Sequence, residues 1–352
     1  MGRPVKVQKQ KAQNRQNKLN KTKKTRALIL AAAAVISLTA SLLAVGCAKT
    51  KSAVPSTKTD SSQTANAQTA AATSTRYVPK RIVVLSPSAA EILCEIGAYS
   101  QIAARTDFCD WPEQMQQKPS VGGFSEKSLS IEKIISYSPD MVYGSEGMHD
   151  FAKPQLESAG IKVYLSKAES VSSIIQEIIY MGELTGHTKK ANELAQSIQN
   201  AFTAAQNKTQ AQQSLSKQKT VYYEVWNSPY MSAGKSSYIT EIIQAAGGTN
   251  IFSSLQSQYP LVSEEAIIAA NPDVIILPDS NGISPSQVEQ RPGWNTISAV
   301  KNKKIYTINA DIISRPGPRI TLALKQVEQI LRETDSIPAP QTSAPTQTAS
   351  LQ

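Results

Sequence analysis

The pattern Ser-x-Glu-x-Ile-Ile-x-x-x-Pro-Asp occurs twice in this chain, at Ser130–Asp140 and at Ser263–Asp273, in one register and offset by 133 residues. In each copy the Ser is placed to cap a helix, Glu132 or Glu265 falls in its first turn, and the Ile pair supplies its apolar face. The Pro-Asp breaks the helix, and the apolar runs Met141–Tyr143 and Val274–Leu277 that follow read as buried strands. A helix-loop-strand unit repeated at about one domain length predicts two similar α/β lobes with a cleft between them, and such clefts bind small ligands.

Charge narrows the function at once. Ten Lys and Arg residues lie between Arg3 and Arg26, with no acidic residue among them, and they equal the whole net charge of +10. The remaining 27 basic residues balance 27 acidic ones, so the folded part has no basic excess to bind nucleic acid. Residues 27–46 are twenty uncharged, mostly apolar positions behind that basic flank, which marks the rest of the chain for export. They end in Leu43-Ala44-Val45-Gly46-Cys47, which resembles a bacterial lipobox, with Ala44 departing from the usual Leu. That resemblance makes residues 1–47 a signal peptide with Cys47 lipidated; the alternative is an uncleaved membrane helix. Either would tether the protein to the outer face of the cell membrane. Residues 48–76, rich in Ala, Ser, Thr and Gln, read as a flexible linker, and residues 336–352 as a disordered tail.

Between these ends the pattern alternates strand and helix. Residues 77–168 form an N-terminal lobe opening with the strand Arg81–Leu85 and a helix whose capping box is Ser88 to Glu91. Residues 169–216 are helical with a break at Gly186, giving a stiff connector that disfavours large hinge closure. Residues 217–335 form a C-terminal lobe with strands at Thr220–Val225 and Ile305–Ile308 and a last helix from Ile320. The expected fold class is therefore α/β: two Rossmann-like lobes joined by a long rigid helix, with the ligand cleft between them.

Several segments, in order, are similar to the substrate-binding proteins of ATP-driven importers, specifically the rigid-helix class that serves cobalamin, heme and iron-siderophore uptake. They are Arg81–Leu93, Cys109-Asp-Trp-Pro112, the two repeat copies, Ser232-Ala-Gly-Lys235, Gly247–Phe252 and Arg315-Pro-Gly-Pro-Arg319. The Asp-Trp-Pro turn and Asn227–Lys235 most resemble the cobalamin-binding members. The resemblance implies a solute-binding lipoprotein that hands its ligand to a permease dimer with its ATPase. It also implies that Glu132 and Glu265 dock the permease, one per lobe; a first-turn carboxylate is equally what a helix dipole favours.

Ligand contacts are expected at strand C-terminal ends, the edge of an open α/β sheet that faces the crevice. Trp111, Phe124, Trp226 and Tyr230 fall in such places, and flat rings suit a wide macrocycle such as a corrinoid. Packing within the lobes is the alternative for each. Arg315 could meet acidic ligand groups or only nearby carbonyls. Met148 and His149 keep heme open as a ligand, since its iron takes axial Met or His. Cys94 and Cys109, fifteen residues apart in an exported chain, could pair; otherwise Cys94 is a buried thiol and Cys109 an exposed one at the cleft. No resident metal or cofactor is expected, a corrinoid bringing its own cobalt. The chain has two His, no His-Glu-x-x-His and no Gly-x-Ser-x-Gly, and its Gly234-Lys235-Ser236 lacks the earlier Gly of a phosphate loop, Pro229 standing there. An enzyme, such as an envelope protein of chelatase-like architecture, is thereby disfavoured, and a ligand-presenting receptor is the other class left open.

Overall fold

The computed structural model describes residues 77–213 and 217–336. The expectations for the signal peptide, Cys47, the linker and the C-terminal tail lie outside the described residues. Among the described residues no helix is long and apolar enough to cross a membrane.

The first lobe runs β1 (Ile82–Val84), α1 (Pro87–Glu95), β2 (Ile102–Arg105), α2 (Ile131–Ser136), β3 (Met141–Ser145), α3 (Lys153–Ser158) and β4 (Lys162–Ser166). Two helices follow, α4 (Val171–Thr185) and α5 (Thr188–Gln213). The second lobe runs β5 (Lys219–Asn227), β6 (Tyr230–Ser232), α6 (Tyr238–Ala245), β7 (Gly248–Asn250), α7 (Glu264–Ala270), β8 (Val274–Pro278), α8 (Pro285–Glu289), α9 (Ser298–Lys301), β9 (Ile305–Ile308), α10 (Ala310–Ile313) and α11 (Ile320–Ser336).

The first sheet is all parallel in the order β2-β1-β3-β4. In the second, β5 pairs in parallel with β7 on one side and β8 on the other, and β8 with β9, so the parallel strands repeat the same order. β6 adds an antiparallel ribbon to the far end of β5.

The repeat at Ser130–Asp140 and Ser263–Asp273 is conformational as well. Ser130 and Ser263 are the N-caps of α2 and α7, accepting from the backbone N–H groups of Lys133 and Ala266. Ile134 and Ile267 are fully buried, each worth about 2 kcal/mol of apolar transfer. Before each Pro the chain turns through a left-handed residue, Ser138 (φ 45°) and Asn271 (φ 44°). The Asp then does more than end a helix. Asp140 accepts the N–H groups of Lys80 and Arg81 at 2.6 and 3.0 Å, and Asp273 accepts the N–H and hydroxyl of Thr220 at 2.9 and 2.8 Å. In each lobe the repeat thus fastens its own strand to the start of the central one.

The central strands are buried on both faces, as in parallel sheets covered by helices. Along β1, β3, β5 and β8, alternate residues such as Ile82, Tyr143, Val221 and Ile276 join one apolar cluster that is continuous through both lobes. The other faces build separate clusters, around Val83 and Val142 in the first lobe and around Tyr222 and Trp294 in the second. The shared cluster includes Ile174, Ile178 and Met181 of α4 and Ile198 and Phe202 of α5.

The connector is two helices folded on each other. Gly186 (φ 81°) caps α4 in the left-handed conformation that favours glycine, at the break expected from sequence. α5, 26 residues and about 39 Å long, packs against α1 of the first lobe and α6 and α11 of the second. One expectation needs correcting: Ser86, and not Ser88, caps α1, with Pro87 in its first turn, which frees Glu91 for another role.

α4 and α5 approach most closely at Gly182, where an added Cβ would lie 2.1 Å from that of Ala191. Gly182→Ala should therefore lower stability by about 1–3 kcal/mol despite the better helix propensity of Ala. Urea unfolding measures this; an unchanged or higher midpoint would mean that the two helices separate at no cost.

Candidate functional site

The C-terminal ends of the strands from both sheets face one cleft of about 870 Å³. The first lobe contributes Ser86 and Ser88 after β1, Phe108 after β2, Ser145 to Met148 after β3 and Ser166 to Glu169 after β4. The second contributes Trp226 at the end of β5, Ser280 after β8 and Asp311, Ser314, Arg315 and Pro316 after β9. This is the crevice at which open α/β sheets take ligands.

Its walls carry exposed apolar rings. Phe108 and Phe124 pack at 4.6 Å between centroids in the first lobe, and both remain more than 40 % exposed. Trp226 of the second lobe is 48 % exposed; its indole N–H donates to the Ser228 carbonyl at 3.0 Å, leaving the ring as an apolar surface. Met148 is also exposed along the lining. Tyr238 and Tyr259 complete it, Tyr238 being buried with its hydroxyl donating to the Ile313 carbonyl at 2.9 Å.

The lobes are tied beneath the cleft by charge. Glu91 of α1, 1 % exposed, receives Arg319 in a two-point pair at 2.9 and 2.6 Å. Arg315 reaches Glu91 at 3.4 Å, Asp110 at 2.8 Å and Asp311 at 2.7 Å. Burial pushes the Glu91 carboxyl upward against the pull of Arg319 and Arg315. Burial also opposes the charged form of Asp110, but the Arg315 hydrogen bond and charge hold it below the ordinary carboxylate value. Two further hydrogen bonds reinforce the junction: Gln258 donates to the Ala168 carbonyl at 2.9 Å, and Glu241 accepts the Val171 N–H at 2.9 Å.

Of the residues singled out in the sequence, Phe124, Trp226, Met148 and Arg315 line the cleft. Arg315 does so with its guanidinium already on three carboxylates, where the sequence leaves it between acidic ligand groups and nearby carbonyls. Trp111 is not among the lining residues; its ring lies 5.0 Å from the Arg319 guanidinium. Tyr230 is on β6 and packs against Trp294 at 5.7 Å beneath Arg291, on the outer side of the second sheet. His149 is fully buried and its Nδ1 accepts the Ser145 N–H at 3.0 Å, so it supports the cleft loop from inside and is not presented to a ligand. Burial pushes its pKa down, favouring the neutral ring that this bond needs.

Cys94 and Cys109 are free thiols, which corrects the disulfide expectation. Cys109 is buried with its Sγ 3.2 Å from the Thr106 hydroxyl, and its place is in the shared core, not exposed at the cleft. Burial pushes Cys109 up to about 11 and Cys94 to about 12, so neither is a reactive thiolate. Glu132 and Glu265 are both exposed in the first turns of α2 and α7. The Glu265 carboxyl is held below its ordinary value by hydrogen bonds from its own backbone and Ser263. Phe108 escaped the sequence reading because it sits three residues before the more conspicuous Trp111; its place just after β2 was the available signal.

Two α/β lobes on a rigid two-helix connector, with an aromatic-walled cleft at their strand ends, define a solute-binding protein. Residues 82–312 match the model of the periplasmic binding protein family, and the chain belongs to that family. It is 30 % identical over 256 residues to an uncharacterized ABC transporter substrate-binding lipoprotein of Bacillus subtilis, covering 71 % of this chain and 79 % of that one. It is 26 % identical to a vitamin B12-binding protein of Vibrio vulnificus over 70 % of this chain and 88 % of that one. A periplasmic heme-binding protein solved with two hemes shares the fold, with a TM-score of 0.64 at 22 % identity over 72 % of this chain and 98 % of that one. Members of the family bind solutes for transport and work with an ABC permease and its ATPase.

Glu91→Ala would leave Arg315 and Arg319 without their shared buried partner between the lobes. A loss of about 3 kcal/mol or more is expected in chemical denaturation, with Glu91→Gln losing less. Wild-type stability in Glu91→Ala would remove the cluster from any part in holding the lobes.

Proposed function

We propose that this protein captures a corrinoid such as cobalamin outside the cell membrane and delivers it to an ATP-driven importer. The observation that carries the reading is the pair of opposed apolar walls, Phe108, Phe124 and Met148 from one lobe and Trp226 from the other, across a cleft of about 870 Å³. Flat rings on both sides suit a wide, flat macrocycle, and the lining hydroxyls of Ser88, Ser145 and Ser280 suit its amide fringe. The similarity to a vitamin B12-binding protein supports the same ligand. The rigid connector favours capture without large closure. Lipidation at Cys47 would hold the protein at the membrane, and no step of the process requires chemistry on the ligand.

Calorimetric titration of the full-length chain with cyanocobalamin, hemin and a ferric siderophore in parallel tests the reading. Saturable one-to-one binding of cyanocobalamin is expected, weakened by about tenfold or more in Trp226→Ala through the loss of ring contact. Binding of hemin or the ferric siderophore alone would replace the corrinoid with an iron chelate in the same cleft.

Glu132 and Glu265 are proposed to dock the permease, one per lobe. Their equivalent positions in the repeat, at the exposed N-termini of α2 and α7, fit a partner with two-fold symmetry. Replacing both with Ala should leave ligand affinity unchanged and abolish uptake in cells that depend on this importer. Normal uptake by the double variant would sink the docking assignment.

A further inference from the structure

The charges around the cleft bear on a finer question, the sign of the ligand that it accepts. Among the described residues lining it, three are carboxylates, Glu146, Glu169 and Asp311, and two are cations, Lys167 and Arg315. Both cations are already engaged. Lys167 lies 3.3 Å from Glu169 and 3.9 Å from Glu146. Arg315, with its side chain only 13 % exposed, is shared by Asp311, Asp110 and Glu91. The next cation below, Arg319, is spent on Glu91. A ligand carboxylate entering this cleft would have to displace one of these partners and would then leave a protein carboxylate unpaired.

The exposed Lys167 pairs are weak and can rearrange, but a Lys flanked by two carboxylates cannot bring a net positive potential to the site. Arg315 is held more firmly, because its own side chain is largely buried, its partners take both terminal nitrogens and one of them, Glu91, is buried. The cleft thus presents apolar rings and hydroxyls in a field with an excess of negative charge.

From this arrangement we infer that the cleft selects metal chelates whose fringe is uncharged or cationic, and discriminates against those bearing carboxylates. The inference rests on the reading of the cleft as a metal-chelate site and narrows it. An amide-fringed macrocycle meets the hydroxyls without a charge penalty. A macrocycle with free propionates, or an iron complex with a net negative charge, meets the carboxylate excess instead.

Matched pairs that differ at the fringe separate charge from scaffold. With the full-length chain in detergent at low salt, affinities are measured for cyanocobalamin against a derivative with one peripheral amide hydrolysed to a carboxylate, for hemin dimethyl ester against hemin, and for a cationic ferric hydroxamate against its succinylated form. For whichever scaffold binds, the carboxylate member is expected to bind about fivefold more weakly or worse. Added sodium chloride should narrow the gap by screening, as should the double substitution Glu146→Gln and Glu169→Gln. If a scaffold binds with no preference, or the carboxylate member binds more tightly and loses affinity with salt, the charge inference is overturned while the chelate reading stands. If no member of any pair binds, both fall.

Discussion

The apolar layer that runs without interruption from the first sheet, through α4 and α5, into the second sheet is the constraint on which the other features depend. It forces the two lobes to share one core, so they cannot part without exposing residues such as Ile178 and Phe202. Gly182 lets α4 and α5 come close enough to form one slab, and Gly186 reverses the chain between them. With the lobes fixed, the strand ends that face each other form a cleft whose width is set before any ligand arrives. That suits a solute-binding protein, because little ordering cost is left for the moment of binding.

The repeat gives each half the same internal logic. Asp140 and Asp273 fasten the repeat strands to the central strands by equivalent hydrogen bonds, and Ser138 and Asn271 take the same left-handed turn to reach them. Both sheets consequently present their strand C-terminal ends in the same sense. The halves differ where their chemistry differs. The first lobe offers the Phe108–Phe124 pair and Met148, and the second offers Trp226 and the arginines that cross to Glu91. The Arg315–Arg319–Glu91 cluster therefore belongs to both holding the lobes and setting the field within the cleft.

Periodicity and punctuation made much of this legible in the sequence. The buried strands, the break at Gly186, the repeated Ser-capped helices and a cleft at the strand C-terminal ends all follow from local rules, and the structure bears them out. Side-chain destinations did not follow. Glu91 looks like a capping-box residue because it stands three places after a Ser, yet Ser86 is the cap and Glu91 belongs to arginines more than 220 residues away. His149 looks like a loop residue open to a ligand, yet it is inside the loop that it supports.

The sequence by itself determined the class of fold, its two-fold construction and the sheet edge along which the cleft lies. These depend on hydrophobic period, caps and strand direction, which neighbouring residues encode. Only the tertiary structure decided which aromatic rings face the cleft, that Cys94 and Cys109 remain thiols, and that the arginines of the Pro-Gly-Pro turn are consumed by carboxylates. Those outcomes depend on distances between segments far apart in the chain, and packing sets such distances through the whole core at once.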